Sequence, residues 1–440
     1  MGTEIHLKIA GMSLDWAKNG MGVDHGFLFQ ESDRTRRRSD EIDYDYFAKN
    51  ECDPAVYEAA FARPLSRVLP RLDLVGFGIE RARLAYEEVV RDAAQIASYT
   101  TSVGLPDAAG PVDFMSFEEF CAFCRRFPLA DLGVKRVRSL SDQGEEAPLP
   151  GRFAASADEI RRIPTAHNPY RWMSGYAESE REYFGSAIFI LDAYSMLQVL
   201  GCDGANPDAE LVWQYGALVE SGWEEVAAFV PGARRYKRIL IATEGTSDAL
   251  IIRRALNVLR PDVADFFNFI DVNESHPFSG VGNLVRFAEG LVRIDVQNSI
   301  LFLLDNDAVG RGAHCRLQSL GMPGNMRSMV LPDHDTFRTF PARGPEGVHL
   351  SDINGRAAAI ECYLDLALPN YGPAEVLWSS FKKDVDAWQG ALEHKETYTR
   401  HFLAQGNESL ARGRYDTSKL EMVLNRLIAE ATFLASKQTD

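Results

Sequence analysis

From Pro231 to about residue 331 the chain alternates short apolar runs with amphipathic segments, and few folds accept that order. The runs 239–243, 267–270, 300–304 and 328–331 are strand-length and rich in Ile, Leu, Val and Phe. Between them, 247–259, 283–292 and 308–320 carry apolar residues at helical spacing. Parallel strands need a crossover to bring the chain back, and helices on the sheet faces bury both sides of each strand. The expectation is an α/β domain over residues 231–375 with a parallel, Rossmann-like sheet.

The flanking regions read differently. Residues 1–70 suggest a β-rich module, with 4–9 alternating polar and apolar and 26–29 as a further strand. Residues 71–230 read as mainly helical, with helices over 72–97, 114–127, 187–200 and 209–229. Polar breaks fall at 103–112 and 139–151. Residues 376–440 read as a C-terminal helical region, strongly patterned over 418–434.

Composition narrows the setting. The longest membrane candidate, 187–200, is short and holds Asp192, so no span is expected. The N-terminus has no basic segment leading into an apolar run, so no secretory signal is expected and the location is expected to be cytoplasmic. Six cysteines in 440 residues point to reduced thiols. Cys121 and Cys124 form a CxxC without a second pair, and with Phe117 and Phe120 they fall on one packed helix face. The net charge of −16 disfavours a nucleic-acid partner taken as an average, although basic clusters stand at 34–38, 135–138 and 234–238. Each cluster is more often a solvated face or loop than a binding patch.

Acidic residues follow two of the expected strands. The run 239–243 leads into Glu244 and Gly245, with Asp248 one helical turn on, and 300–304 leads into Asp305, Asn306 and Asp307, then Gly310. In an open parallel sheet, ligands gather past the carboxyl ends of the strands. A DxD continuing a strand points both carboxylates the same way. Glu361, in AAAIECYL, is a third acidic position, on an expected helix. Carboxylates crowded together need a cation, and hard oxygen donors favour Mg2+ or Mn2+. DxD and EG after strands also serve as ordinary helix caps and turns.

TEGTSD after an apolar strand and LLDNDAVG some sixty residues on resemble the Toprim signature of type IA and II topoisomerases, bacterial primases, ribosomal-RNA maturases and overcoming-lysogenization-defect (OLD) nucleases. Asp248 and Glu361 in its IECYL context resemble the OLD-type version. Residues 1–33 are similar to the opening of bacterial HEPN/Toprim-associated proteins. The resemblance implies Glu244, Asp305 and Asp307 as catalytic groups and Glu244, Asp248, Asp305, Asp307 and Glu361 as metal ligands. It also implies Lys395 as a catalytic lysine, although a solvated helix lysine beside Glu396 accounts for the letters equally. His394 and His401 are substitutes for it. Gly245, Gly280, Gly282 and Asn283 are candidates for the phosphate-binding rim. Arg162 and His167 match the RxxxxH letters of HEPN ribonucleases, but Pro164 between them breaks a helix, so no HEPN pair is expected.

The function so implied is Mg2+-dependent cleavage or nicking of DNA, in the setting of antiphage defence. RNA cleavage, or a non-catalytic sensor that binds nucleic acid or nucleotide, are the alternatives. No Walker A motif occurs, so regulation is expected from the N-terminal region, a partner protein or a homo-oligomer.

Overall fold

The computed structural model describes residues 2–39, 42–102, 113–134, 151–164, 177, 179–270, 280–368 and 371–437. The break at 103–112, the basic cluster at 135–138, residues 139–150 of the polar break, His167 and Ser279 lie outside the described residues. The chain divides into two compact units, 1–73 with 77–232, and 74–76 with 233–440.

The first unit is built on a five-stranded antiparallel sheet. Its strands are β1 (Glu4–Ile9), β2 (Met12–Lys18), β3 (Arg34–Arg36), β4 (Ala59–Pro64) and β5 (Glu210–Gln214), ordered β2-β1-β5-β4-β3. Its helices are α1 (Tyr44–Lys49), α2 (Leu65–Asp73), α3 (Ile79–Ser102), α4 (Phe117–Arg125), α5 (Ala157–Arg161), α6 (Glu180–Ile188), α7 (Ala193–Leu200) and α8 (Gly216–Glu220). Because β5 pairs with both β1 and β4, residues 1–70 and 71–230 share one sheet and one core.

Two segments differ from the expectation in kind, and the helix expected over 187–200 is broken, its first two residues ending α6 and the rest, from Ala193, forming α7. The helix expected over 209–229 is instead β5, the short α8 and a 3-10 turn at Val226–Ala228. Leu211 and Trp213 alternate into the core, and pairing on both flanks satisfies the strand backbone. The strand expected at 26–29 is a 3-10 turn, Gly26–Leu28. Asp24 Oδ1 accepts from the Gly26 N–H at 2.9 Å, and Phe29 N–H returns to the Gly26 carbonyl at 3.1 Å, closing the turn.

Buried cations hold that turn. Arg71 donates to the carbonyls of Phe27 at 2.7 Å and Phe29 at 3.2 Å. Arg63, 2% exposed, donates to Asp33 Oδ2 and to Gln30 Oε1, each at 3.0 Å. The face expected for Cys121 and Cys124 is packed: both thiols are buried on α4 with Phe117, Phe120 and Phe123. The six cysteines are free thiols. Among the described residues no single helix is long and apolar enough to cross a membrane; α6 and α7 pass the test only as a pair bent by 115°.

The second unit contains the parallel sheet β10-β8-β6-β7, from β6 (Ile239–Thr243), β7 (Phe267–Phe269), β8 (Ile300–Leu304) and β10 (Met326–Val330). β8 is buried along its whole length. Helices α9 (Thr246–Leu259), α10 (Val281–Arg293) and α11 (Ala308–Ser319) connect the strands. Asn306–Asp307 continues from β8 as a two-residue strand, β9. Then come β11 (Phe340–Gly344), β12 (Gly347–Ser351), β13 (Ala357–Ala358), β14 (Val376–Lys382) and β15 (Ala387–Leu392), followed by α12 (Lys395–Leu403), α13 (Asn407–Ala411) and α14 (Ser418–Lys437).

The helical region expected from 376 begins with the antiparallel β14–β15 hairpin, whose β14 also pairs parallel with β11. The hairpin is tied into the same unit as the parallel sheet, so 375 is not a boundary between folded units. Glu361 sits in a 3-10 turn, Ile360–Tyr363, rather than a helix.

Asp33→Ala takes away the carboxylate that accepts from the buried Arg63 guanidinium at 3.0 Å. Asp33→Ala is expected to destabilise the first unit by about 3–5 kcal/mol in urea denaturation, the cost of breaking a buried pair from one side. A loss below about 1 kcal/mol, the level of a surface pair, refutes that role for Arg63.

Candidate functional site

β6 and β8 are neighbours in register, Thr243 opposite Leu303, so the next residues out, Glu244 and then Asp305, leave the sheet side by side. The Asp305 N–H donates to Glu244 Oε1 at 3.1 Å. The next turn is tight: a Cβ on Gly310 would collide with the Asp305 carbonyl, so only glycine lets α11 start this close to β8.

Asp248 and Asp307 do the ordinary work of helix caps. Asp248, in the first turn of α9, accepts from the Gly245 N–H at 2.9 Å and the Ser247 hydroxyl at 3.2 Å. Asp307 is the N-cap of α11 and accepts from the Gly310 N–H at 2.7 Å. Capping uses one face of each carboxylate and does not account for what surrounds them. β9 pairs antiparallel with β13, Asp307 opposite Ala357, and this brings the following turn over the acids. There the Ile360 N–H donates to Asp305 Oδ1 at 3.0 Å, and Glu361 is buried.

The five acids share one electrostatic neighbourhood. Burial pushes the Asp305 carboxyl well above the usual range, and Asp248, Glu244, Asp307 and Glu361 push it further. Glu244 is pushed up to about 8 by burial and then by Asp307, partly opposed by the Asp305 N–H, with a further push from Asp248. Asp248 is pushed up to about 6 by burial and Glu361, against the lowering effects of Gly245, Ser247 and Lys395. The donors to these carboxylates are neutral N–H and O–H groups, which orient negative charge without cancelling it.

Charge converges here more than geometry does. Among the described residues no three His, Cys, Asp or Glu side chains form a ready metal cage. Two cavities of about 650 Å3 in this unit, one beside Arg253 and Phe269 and one beside His314 and Arg327, are lined by none of the five acids. Mutual charge, rather than cavity volume, marks the site.

The remaining sequence candidates separate. Lys395 is exposed at the first position of α12, close enough to Asp248 to lower its pKa. His394 adopts a left-handed conformation, φ 58°, and its ring meets Tyr371; His401 is engaged by Gln405. Gly245 spends its N–H on Asp248, which argues against a phosphate-binding role for that group. Gly280, Gly282 and Asn283 shape the N-terminal turn of α10, with Gly280 at φ 83°, while α9 and α11 are the helices that begin at the acids. Arg162, the first letter of the HEPN-like match, is held by Glu119 at 3.1 Å.

Sequence reasoning missed Gln389, on β15, whose amide donates to Asp307 Oδ2 at 2.6 Å. It also missed the framework under the DxD turn. Asn306 is fully buried, donates to Asp333 at 2.8 Å, and accepts from Arg311 at 3.1 Å and from the Gly355 N–H at 2.9 Å.

Comparison with known proteins gives one match. The family model described as HEPN/Toprim N-terminal domain 1 matches residues 1–237, which leaves the five acids outside the matched stretch. Searches of curated proteins and of solved structures each return no match.

The raised carboxyl pKa values have a testable sign. Each such group contributes stability that is fully present below its unfolded pKa, near 4, and is lost as pH rises through its folded value. In EDTA, thermal stability of the second unit is therefore expected to fall between about pH 4 and pH 8, the window set by Asp248 at about 6 and Glu244 at about 8. Asp305→Asn removes a carboxyl whose ionised form is penalised on folding, so it is expected to raise the metal-free melting temperature at pH 7.5 and to flatten this slope. A D305N variant that melts lower than wild type at that pH contradicts the electrostatic account.

Proposed function

Because the chain belongs to the HEPN/Toprim N-terminal domain 1 family, we propose that it is a nuclease-associated protein whose second unit is a Toprim-type, Mg2+-dependent phosphodiesterase. The observation that carries the reading is Asp305, buried in the field of four other carboxylates and itself held by the neutral Ile360 N–H. A divalent cation is the simplest partner for such a donor set, since all-oxygen ligands select Mg2+ or Mn2+.

Asp305, Asp307 and Glu244 would hold one ion, and Asp248 with Glu361 would complete a second position. A bound cation there would neutralise phosphate charge and lower the pKa of a water. Glu244, beside that ion, would also serve as general acid or base at a phosphate oxygen. Lys395, exposed beside Asp248, presents an ammonium to an incoming phosphodiester. The acids stand past the strand ends at helix N-termini, where an extended polyanion can approach. DNA is the first substrate, and a role in antiphage defence follows by analogy with Toprim nucleases.

The test is incubation of the full chain with supercoiled plasmid and, separately, with single-stranded RNA, in Mg2+ and in Mn2+. Nicked or linear plasmid is expected. Glu244→Gln is expected to reduce the rate on the order of 10²–10⁴-fold, and Asp305→Ala to reduce it to background. Cleavage of RNA alone reassigns the substrate. Intact DNA and RNA in both metals, with binding retained, makes the second unit a nucleic-acid sensor and removes the hydrolytic role.

A further inference from the structure

We infer that Gln389 is a positioning residue of the acid cluster, fixing the Asp307 carboxylate for a divalent cation; the inference rests on the metal-dependent reading above. Gln389 lies 82 positions beyond Asp307 along the chain, on a strand of a different sheet. Its side chain nevertheless reaches the DxD turn with both ends. Nε2 donates to Asp307 Oδ2 at 2.6 Å, and Oε1 accepts from the Val309 N–H at 3.2 Å. Reversing the amide would set its oxygen against a carboxylate and its N–H₂ against an N–H, so the hydrogen-bond pattern fixes its orientation.

Backbone contacts bring the amide there. The Gly390 N–H donates to the Arg356 carbonyl at 3.1 Å, and Arg356 precedes the strand that pairs with Asp307. Gly390 makes this approach feasible. A Cβ on it would stand 2.7 Å from Val376 Cγ1, 2.9 Å from Trp378 Cε3 and 3.0 Å from Ala357 Cβ. Opposite Gln389, the β14–β15 register shifts between Trp378 and Ser380, and the Ser379 hydroxyl donates to the Gln389 carbonyl at 3.0 Å. A bulge of this kind re-aims a neighbouring side chain.

The chemistry of the contact separates positioning from simple packing. Asp305 accepts from a backbone N–H, and Asp248 from a backbone N–H and the adjacent Ser247 hydroxyl, whereas Asp307 Oδ2 is met by a side chain from a distant hairpin. An arginine or lysine in that place would cancel the carboxylate's charge and compete with a cation. The glutamine amide fixes the direction of Oδ2 and leaves its charge intact. Carboxylates that bind metals are commonly held in this way by outer partners, and losing such a partner typically costs about 10–100-fold in affinity.

Calorimetric titration of the full chain with MgCl2 and with MnCl2 tests this, alongside melting temperatures in EDTA. Gln389→Met keeps the length of the side chain and removes both polar ends. Gln389→Thr keeps strand propensity and is too short to reach Asp307, so it serves if the first variant does not fold. The expected result is metal binding by wild type, an affinity for Mg2+ about 10–100-fold weaker in the variants, and an unchanged metal-free melting temperature. Equal affinity in wild type and variants overturns the inference while leaving the metal site standing. A lowered metal-free melting temperature with unchanged affinity makes Gln389 structural and also overturns it. If wild type binds neither ion, the metal-dependent reading fails first and the inference goes with it.

Discussion

Negative charge that cannot disperse into water is the constraint around which the second unit is organised. Four of the five carboxylates follow the ends of β6 and β8, Glu361 lies in the turn after β13, and burial together with mutual repulsion raises the pKa values of three of them. No fold gathers such groups for stability, since each raises the energy of the ionised folded state. The surroundings make the arrangement tolerable through neutral hydrogen bonds: Ile360 to Asp305, Gly245 and Ser247 to Asp248, Gly310 and Gln389 to Asp307.

The two units meet this constraint differently. In the first, buried charge is compensated where it sits, as with Arg63 and Asp33, or carried by backbone carbonyls, as with Arg71. In the second unit the hydrogen-bond donors to the buried carboxylates are neutral groups. The family match covers residues 1–237, whereas the five acids lie from Glu244 onward.

Legibility in the sequence follows physical contrast. Strands and helices between 239 and 330 are readable because buried parallel strands are uniformly apolar and the helices between them have a distinct period. Glu244, Asp248, Asp305 and Asp307 are readable because strand ends are where such sheets place ligands. β5 reads as helix because its apolar residues run on into those of α8, and a short apolar run fits either period. The β14–β15 hairpin escapes the pattern because Phe381 and Trp388 are nearly half exposed, so apolar residues do not mark one face. Gln389 is unreadable for a deeper reason: its partner lies in another sheet, and no local pattern records a contact across that distance.

The interleaved sheet of the first unit has a consequence in time. β5 fills the gap between β1 and β4, yet it follows β4 by well over a hundred residues. During synthesis at about 5–20 residues per second, β1 and β4 therefore leave the ribosome roughly ten to thirty seconds before the strand that joins them. For that interval each presents an unpaired edge, the kind of surface through which nascent chains stick to one another. Yield of this protein in a cell thus depends on how fast residues 65–214 are translated and on what shields two waiting strands meanwhile.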